Sequence, residues 1–472
     1  MQSASQQRTL AVMAILTGAS FLAGLDLFIV NVAFDDIGRD FSTGAVHPPS
    51  LGDLSWILNA YAVVFAALLI PAGRVADRYG QKGGFIAGLT LFTAASLACG
   101  YADDVWTLVA LRALQAVGAA VMTPASLGLL LAALPPERRP SAARGWALSG
   151  AIAAALGPAA GGVLVQLSWH WAFWVNVPVG IALMAAAMRL VPDARHNEGA
   201  PRPDLIGALL LAVAVGALVL GLVQGNDWGW SSNRTISAFV AAAAALLVFV
   251  AFSRRHPNPV IDPGLFRVRS FTSVNIATLL FNGSFGAALL LAILWMQQVW
   301  GFSALETGFA IAAGPLVVPV ASILAGRLFG HFHPSRLIAT GGVVVAVGAT
   351  LLLVGLTTDP SYWSTVLPGW LIIGAGVGLG LPNLVAAATA TLPPAQSSTG
   401  SGIISMARQV GLVLGVAILV GILDTGVANL DTVRWAWLFI AATALASSVA
   451  ALTMTNERTP ETEQTDAVVL AH

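Results

Sequence analysis

The sequence predicts an all-α integral membrane protein with about 14 transmembrane helices. Apolar residues make up 57% of the 472 positions and charged residues only 9%, against roughly 25% charged in a soluble domain. The mean hydropathy is +0.82. Apolar runs of about 20 residues, the length that crosses a bilayer core as helix, recur along the whole chain.

The runs fall near 10–34, 54–73, 83–101, 105–133, 144–167, 172–191, 205–225, 235–252, 272–298, 306–329, 337–356, 364–391, 401–424 and 433–453. The first is too long for a signal core, and no small-residue cleavage site precedes polar sequence, so it reads as a retained helix. The second closes on a basic turn, Gly73 to Lys82. The third holds the single cysteine, Cys99, which excludes an intrachain disulfide. The fourth carries Pro124 and ends at Leu134-Pro135-Pro136. The fifth is rich in small residues: Gly150, Gly157-Pro158, Gly161 and Gly162. The seventh and eighth form an inserted pair. The tenth opens on Ser303-x-x-Glu306, a capping box, and closes on Gly326-Arg327, with His331 and His333 in the turn beyond. The twelfth carries Pro382 and ends at Leu392-Pro393-Pro394, and the thirteenth runs toward Asp424.

An even number of spans puts both termini on one side. With the N-terminus inside, 17 of the 20 basic residues in loops and termini fall on the cytoplasmic side; Arg39, Arg234 and Arg434 are outside, and Arg112 and Arg408 lie within spans. This satisfies the positive-inside rule. The outer loops carry Trp169, Trp171, Trp228, Trp230, Tyr362 and Trp363, suited to headgroup depth.

The chain repeats itself. Pro124 and Pro382 each precede a Leu-Pro-Pro at the same spacing, at an offset of 258, and Gly73-Arg74 is echoed by Gly326-Arg327 at 253. Two six-span bundles follow, 1–191 and 266–456, around a two-helix insert at 192–265 and before a cytoplasmic tail at 457–472. Parallel repeats place a transport site between the halves near the midplane.

Asp26 stands alone inside the first run. A carboxylate there costs about 2.5–3.5 kcal/mol on the mildest scale and marks an ion or substrate pathway. Arg112 lies at matching depth in the fourth span, with Gln115 on its face. Both are expected on the cavity between the halves, bridged by water, with Asp26 and Arg112 coupling to protons. Asp77, at the inner interface, reads as a latch between halves. Gly157 and Pro158 read as a seal at the moving interface. Asn31, Asn59, Gln115, Asn282, Gln298, Asn383 and Arg408 supply polar lining to the cavity, and Phe281, Trp295 and Trp370 an aromatic floor. No phosphate-binding Gly-x4-Gly-Lys-Ser/Thr, no His-Glu-x-x-His, no serine nucleophile elbow and no metal-ligand cluster is present. This excludes direct ATP drive and gives an enzyme nowhere to work.

These motifs together resemble the major facilitator superfamily, and within it the fourteen-span drug:proton antiporters. Leu25-Asp26 … Val30-Asn31-Val32-Ala33 is similar to the family's first-span motif, Gly73 to Lys82 to its loop motif, and Leu111-Arg112 … Gln115 … Gly118 to its fourth-span motif. Gly157-Pro158 … Gly161-Gly162 is similar to the antiporter motif, while Trp171 … Asn176-Val177-Pro178 and Ala407-Arg408-Gln409 match further segments. The resemblance implies the major facilitator fold and alternating access. It gives Asp26 and Arg112 proton coupling, Arg74 and Asp77 gating, and Gly157 and Pro158 the interface. Departures are Ala116 for the usual glycine, Phe34-Asp35 for Leu-Pro, a second loop motif without its aspartate, and no deep acid in the C-terminal half.

The sequence thus leads to a proton-coupled exporter of lipophilic, drug-like compounds in a bacterial cytoplasmic membrane. It is expected to be a monomer, driven by the proton gradient without a cofactor, with lipid, protons and a small molecule as partners and no nucleic acid. A proton-coupled uptake carrier and a non-transporting sensor on the same fold are the rivals.

Overall fold

The computed structural model describes residues 2–43, 48–193, 203–329, 332–355, 357–390, 397–423 and 430–454. Fourteen long helices follow one another: α1 Gln2–Ser42, α2 Leu51–Tyr79, α3 Gln81–Cys99, α4 Val105–Ala132, α5 Arg139–Val165, α6 Asn176–Leu190, α7 Leu205–Trp228, α8 Asn233–Ser253, α9 Arg269–Leu294, α10 Ala304–Phe329, α11 Pro334–Val354, α12 Leu367–Ala390, α13 Ser397–Ile422 and α14 Leu430–Leu452. Thirteen spans, α1–α4 and α6–α14, are long and apolar enough to cross a bilayer; in α5 the apolar stretch is Ile152–Val165.

Polar residues fix where helices begin. Ser50 and Asp53 form a reciprocal capping box on α2, Asp104 accepts from the Trp106 and Thr107 amides at the start of α4, and Ser232 caps α8. Ser303 and Glu306 pair across the first turn of α10, so Glu306 serves as a cap. His333 caps α11 by accepting from the Ser335 amide. His331 and Asp424 lie outside the described residues.

Packing in the first half recurs in the second. α1 lies on α5, α2 on α4, and α3 on α4 and α6; correspondingly α9 lies on α13, α10 on α12, and α11 on α12 and α14. Small residues set the closest approach, as membrane helix interfaces require. A Cβ on Gly161 would sit 3.0 Å from the Ile29 carbonyl oxygen, and one on Gly415 would sit 2.1 Å from the Gly283 oxygen. Gly157 and Gly411 repeat the relation one turn earlier, against Phe28 and the Leu279 oxygen. Two seams join the halves, α5 with α10 and α2 with α13, and α7 packs on both helices of the second.

One in-helix proline is compensated from a neighbouring helix. Pro315 has no N–H to give the Ile311 carbonyl; the Trp370 indole donates to it instead at 2.7 Å. Trp370 is therefore a strut and not a cavity floor. Trp169 also departs from the headgroup role: it is buried and donates to Asp40 at 2.9 Å, whereas Trp171, Trp230 and Trp363 are exposed.

Candidate functional site: a buried charge knot

The two deep charges meet directly. Arg112 Nη1 lies 2.5 Å from Asp26 Oδ2, and neither side chain has any solvent exposure. The expected water-bridged arrangement on a cavity between halves is corrected here: the pair is sealed inside the first bundle. α3 and α6 close over it with polar groups. Asn176 donates to Asp26 Oδ1 at 2.7 Å and Gln115 donates to the same oxygen at 2.9 Å. Asn176 also donates to Ser96 Oγ at 2.9 Å, and Ser96 donates to the Phe173 carbonyl at 2.9 Å. Gln115 accepts from Arg112 at 2.6 Å, so it belongs to the knot and not to a substrate cavity.

The guanidinium is held on its other sides too. Arg112 Nε donates to the Ile57 carbonyl at 3.3 Å, and its carbon lies 4.2 Å from the Tyr61 ring centroid. An aromatic face attracts a desolvated cation. Arg112 Nη2 and Asn176 Oδ1 make no hydrogen bond among the described residues. The knot thus keeps one spare donor and one spare acceptor. Five helices, α1, α2, α3, α4 and α6, each contribute a group, so its electrostatic state bears on how they pack.

Sequence reasoning missed Asn176 as a partner of Asp26 and Ser96 as the group that accepts from Asn176. The available signal was a lone amide at the start of an apolar helix, in Asn176-Val177-Pro178.

The other candidates are dispersed. Asn31, Asn282 and Asn383 each donate to the carbonyl one turn back on their own helix, at 2.9, 2.8 and 2.7 Å, and Asn59 donates to Ser55 Oγ at 3.4 Å. Phe281 and Trp295 are almost wholly buried, Trp295 in a π-turn that ends α9. That turn reaches the first half: Gln297 donates to the Val32 carbonyl at 3.0 Å and Gln298 to Asp35 at 3.1 Å. Gln298 and Asp35 share a cleft of about 450 Å³ with Phe34, Arg39 and Leu54. Arg408 is half-buried and its Nε has no partner among the described residues.

Gly157 faces α1, whereas Pro158 and Gly162 face α10 across the seam. Arg74 donates to the Asn258 carbonyl at 2.7 Å, in the segment between α8 and α9. The Asp77 side chain lies outside the described residues.

Two helical bundles built on one plan, with a single dry ion pair among the described residues of the first, define a membrane solute carrier. The family model of the Major Facilitator Superfamily matches residues 16–205, 204–416 and 274–470, and the chain belongs to that family. It is 34% identical over 421 residues to the multidrug resistance protein Stp of Mycobacterium tuberculosis, covering 88% of this chain and 76% of that one. It is 30% identical to the methylenomycin A resistance protein of Bacillus subtilis, covering 88% of each. It is 34% identical to the puromycin resistance protein of Streptomyces alboniger, covering 86% and 80%. The peptide transporter POT solved with sulfate superposes with a TM-score of 0.69 at 16% identity, covering 95% of this chain and 97% of that one, which supports the fold alone.

Proposed function

We propose that this transporter expels lipophilic, drug-like compounds in exchange for protons, with Asp26 as the proton carrier. The resistance roles named for its relatives support drug efflux. The observation that carries the coupling is the Asp26–Arg112 pair, sealed from solvent and held by groups from five helices. Removing one partner of such a pair leaves an uncompensated buried charge, at a cost of about 3–5 kcal/mol. Protonation of Asp26 has the same character: it cancels the carboxylate and leaves Arg112 unmatched, so the helices must shift.

Asn176 is suited to register the change. A protonated carboxyl becomes a donor, and the free Oδ1 of Asn176 can accept from it once the amide turns. The α5–α10 seam and the α1–α9 contacts at Gln297 and Gln298 are the places where the halves part. Arg74 and Asp77 control that motion from the opposite end, and Gly157 and Pro158 seal it. The basic end of the bundle faces the cytoplasm of a bacterial cell, with both termini there, and the working unit is a monomer that uses no cofactor. Arg408, Asn31, Asn59, Asn282 and Asn383 contribute to substrate contacts between the halves.

The test is substrate-evoked proton movement in reconstituted vesicles. Export against proton influx supports the reading. Solute and proton moving in one direction would make the protein an uptake carrier.

A further inference from the structure

The inserted pair α7–α8 is attached unequally to the two halves. Toward the first half it is pinned at both ends. At the end bearing Asp53, Gln224 is buried and donates to Asp53 at 3.0 Å, and a Cβ on Gly52 would lie 3.2 Å from Val223 Cγ1. At the basic end the insert is closed on itself, for Asp204 is buried, caps α7 through the Gly207 amide at 2.7 Å and accepts from the Val260 amide at 3.0 Å. Arg74 of α2 holds the same segment through the Asn258 carbonyl at 2.7 Å.

Toward the second half one polar tie is present among the described residues. Asn226 donates to the Gly421 carbonyl at 2.7 Å, oriented by the Trp230 indole, which donates to Asn226 Oδ1 at 2.7 Å. Gln224 and Asn226 lie roughly 200° apart around α7, which lets one turn reach α2 on one side and α13 on the other. The rest of the contact with α13 is apolar: Ala208 and Leu211 of α7 share one cluster with Met406 of α13, and Ala66 of α2 joins it from the first half. Apolar side chains slide past each other without stranding a polar group, whereas breaking a buried hydrogen bond strands two. Gly421 lies in the last turn of α13, where carbonyls have no helical partner. Losing Asn226 therefore breaks no helix.

We propose that the α7–α8 pair travels with the first half, covers the α2–α13 seam, and uses Asn226 as a releasable latch on the second half. The inference rests on the alternating-access reading above. It adds the moving unit to which the insert belongs.

Two measurements test it, both in a Cys99→Ser background. In the first, Gly52→Cys with Val223→Cys, and separately Asn226→Cys with Gly421→Cys, are bridged by a short reducible crosslinker in everted vesicles, with ethidium as the transport probe. Bridging α7 to α2 should leave ethidium uptake unchanged. Bridging α7 to α13 should abolish it until reductant is added. The opposite pattern, or free transport with both bridges, overturns the proposal. If unbridged protein moves no ethidium, drug export fails for that probe, and the second measurement still decides the insert's attachment. Spin labels at Ile236, Trp106 and Trp435, all exposed, report distances at pH 5 and pH 8. The 236–106 distance should hold while 236–435 changes, and Asn226→Ala should shift the population about fivefold toward the separated form. A fixed 236–435 distance, alone or with 106 also fixed, overturns it.

Discussion

Gly308 of α10 meets Pro158 of α5 so closely that a Cβ at position 308 would lie 2.2 Å from the Pro158 carbonyl oxygen. The two residues belong to opposite halves, and backbone meets backbone there with no side chain between. Gly308→Ala should therefore force the seam apart and lower transport at least tenfold, with protein still inserted in the membrane. Gly326→Ala, on the same helix with nothing within 4 Å of its Cβ, should be neutral. Initial efflux rates normalised to membrane protein decide it; full activity in Gly308→Ala would show that the contact is loose in use.

The Trp370–Ile311 bond gives a second expectation. Trp370→Phe keeps an aromatic ring but loses the donor and part of the packed indole, stranding a buried carbonyl at a cost of about 1–3 kcal/mol. Pro315→Ala restores a backbone N–H for that carbonyl. The double variant should lose less thermal stability in detergent than Trp370→Phe alone. Purely additive losses would mean that the indole's value is packing.

Arg112 presents a planar fork to Asp26, Gln115 and the Ile57 carbonyl. A lysine cannot reproduce that set. Arg112→Lys should recover little of the exchange lost in Arg112→Ala. Initial exchange rates in reconstituted vesicles check this, and wild-type behaviour in the lysine variant would contradict the fork.

Topology is testable with single cysteines in a Cys99→Ser background. Residues at Ser50, Ser232 and Pro360 should react with an impermeant thiol reagent from outside the cell, and one at Ser141 should not. The reverse pattern would invert the assignment.

The spans were legible because lipid demands long apolar helices and leaves charge for their ends. The repeat was legible in the two Leu-Pro-Pro segments of the sequence, the second of which lies outside the described residues, and the contacts of Gly157, Gly161, Gly411 and Gly415 restate it in space. Asp26 and Arg112 were legible because charge inside a span is costly enough to stand out. Their direct contact was not, since depth can be counted along a helix but rotation cannot. Asn176 and Ser96 were passed over because uncharged polar residues are common in spans and carry no comparable penalty. Asn31, Asn282 and Asn383 were legible as polar groups within spans, but that each donates an N–H to the carbonyl one turn back on its own helix was not. Trp370 could have been paired with Pro315 only by knowing which helices touch.

The central claim is that Asp26 carries the proton, and substrate-evoked proton movement in vesicles reconstituted with Asp26→Asn tests it most directly. The amide keeps the shape of the carboxyl but cannot release a proton. The account predicts that the variant binds substrate, inserts normally and shows no coupled proton flux. Proton exchange at the wild-type rate in Asp26→Asn would contradict it and place the carrier elsewhere in the chain.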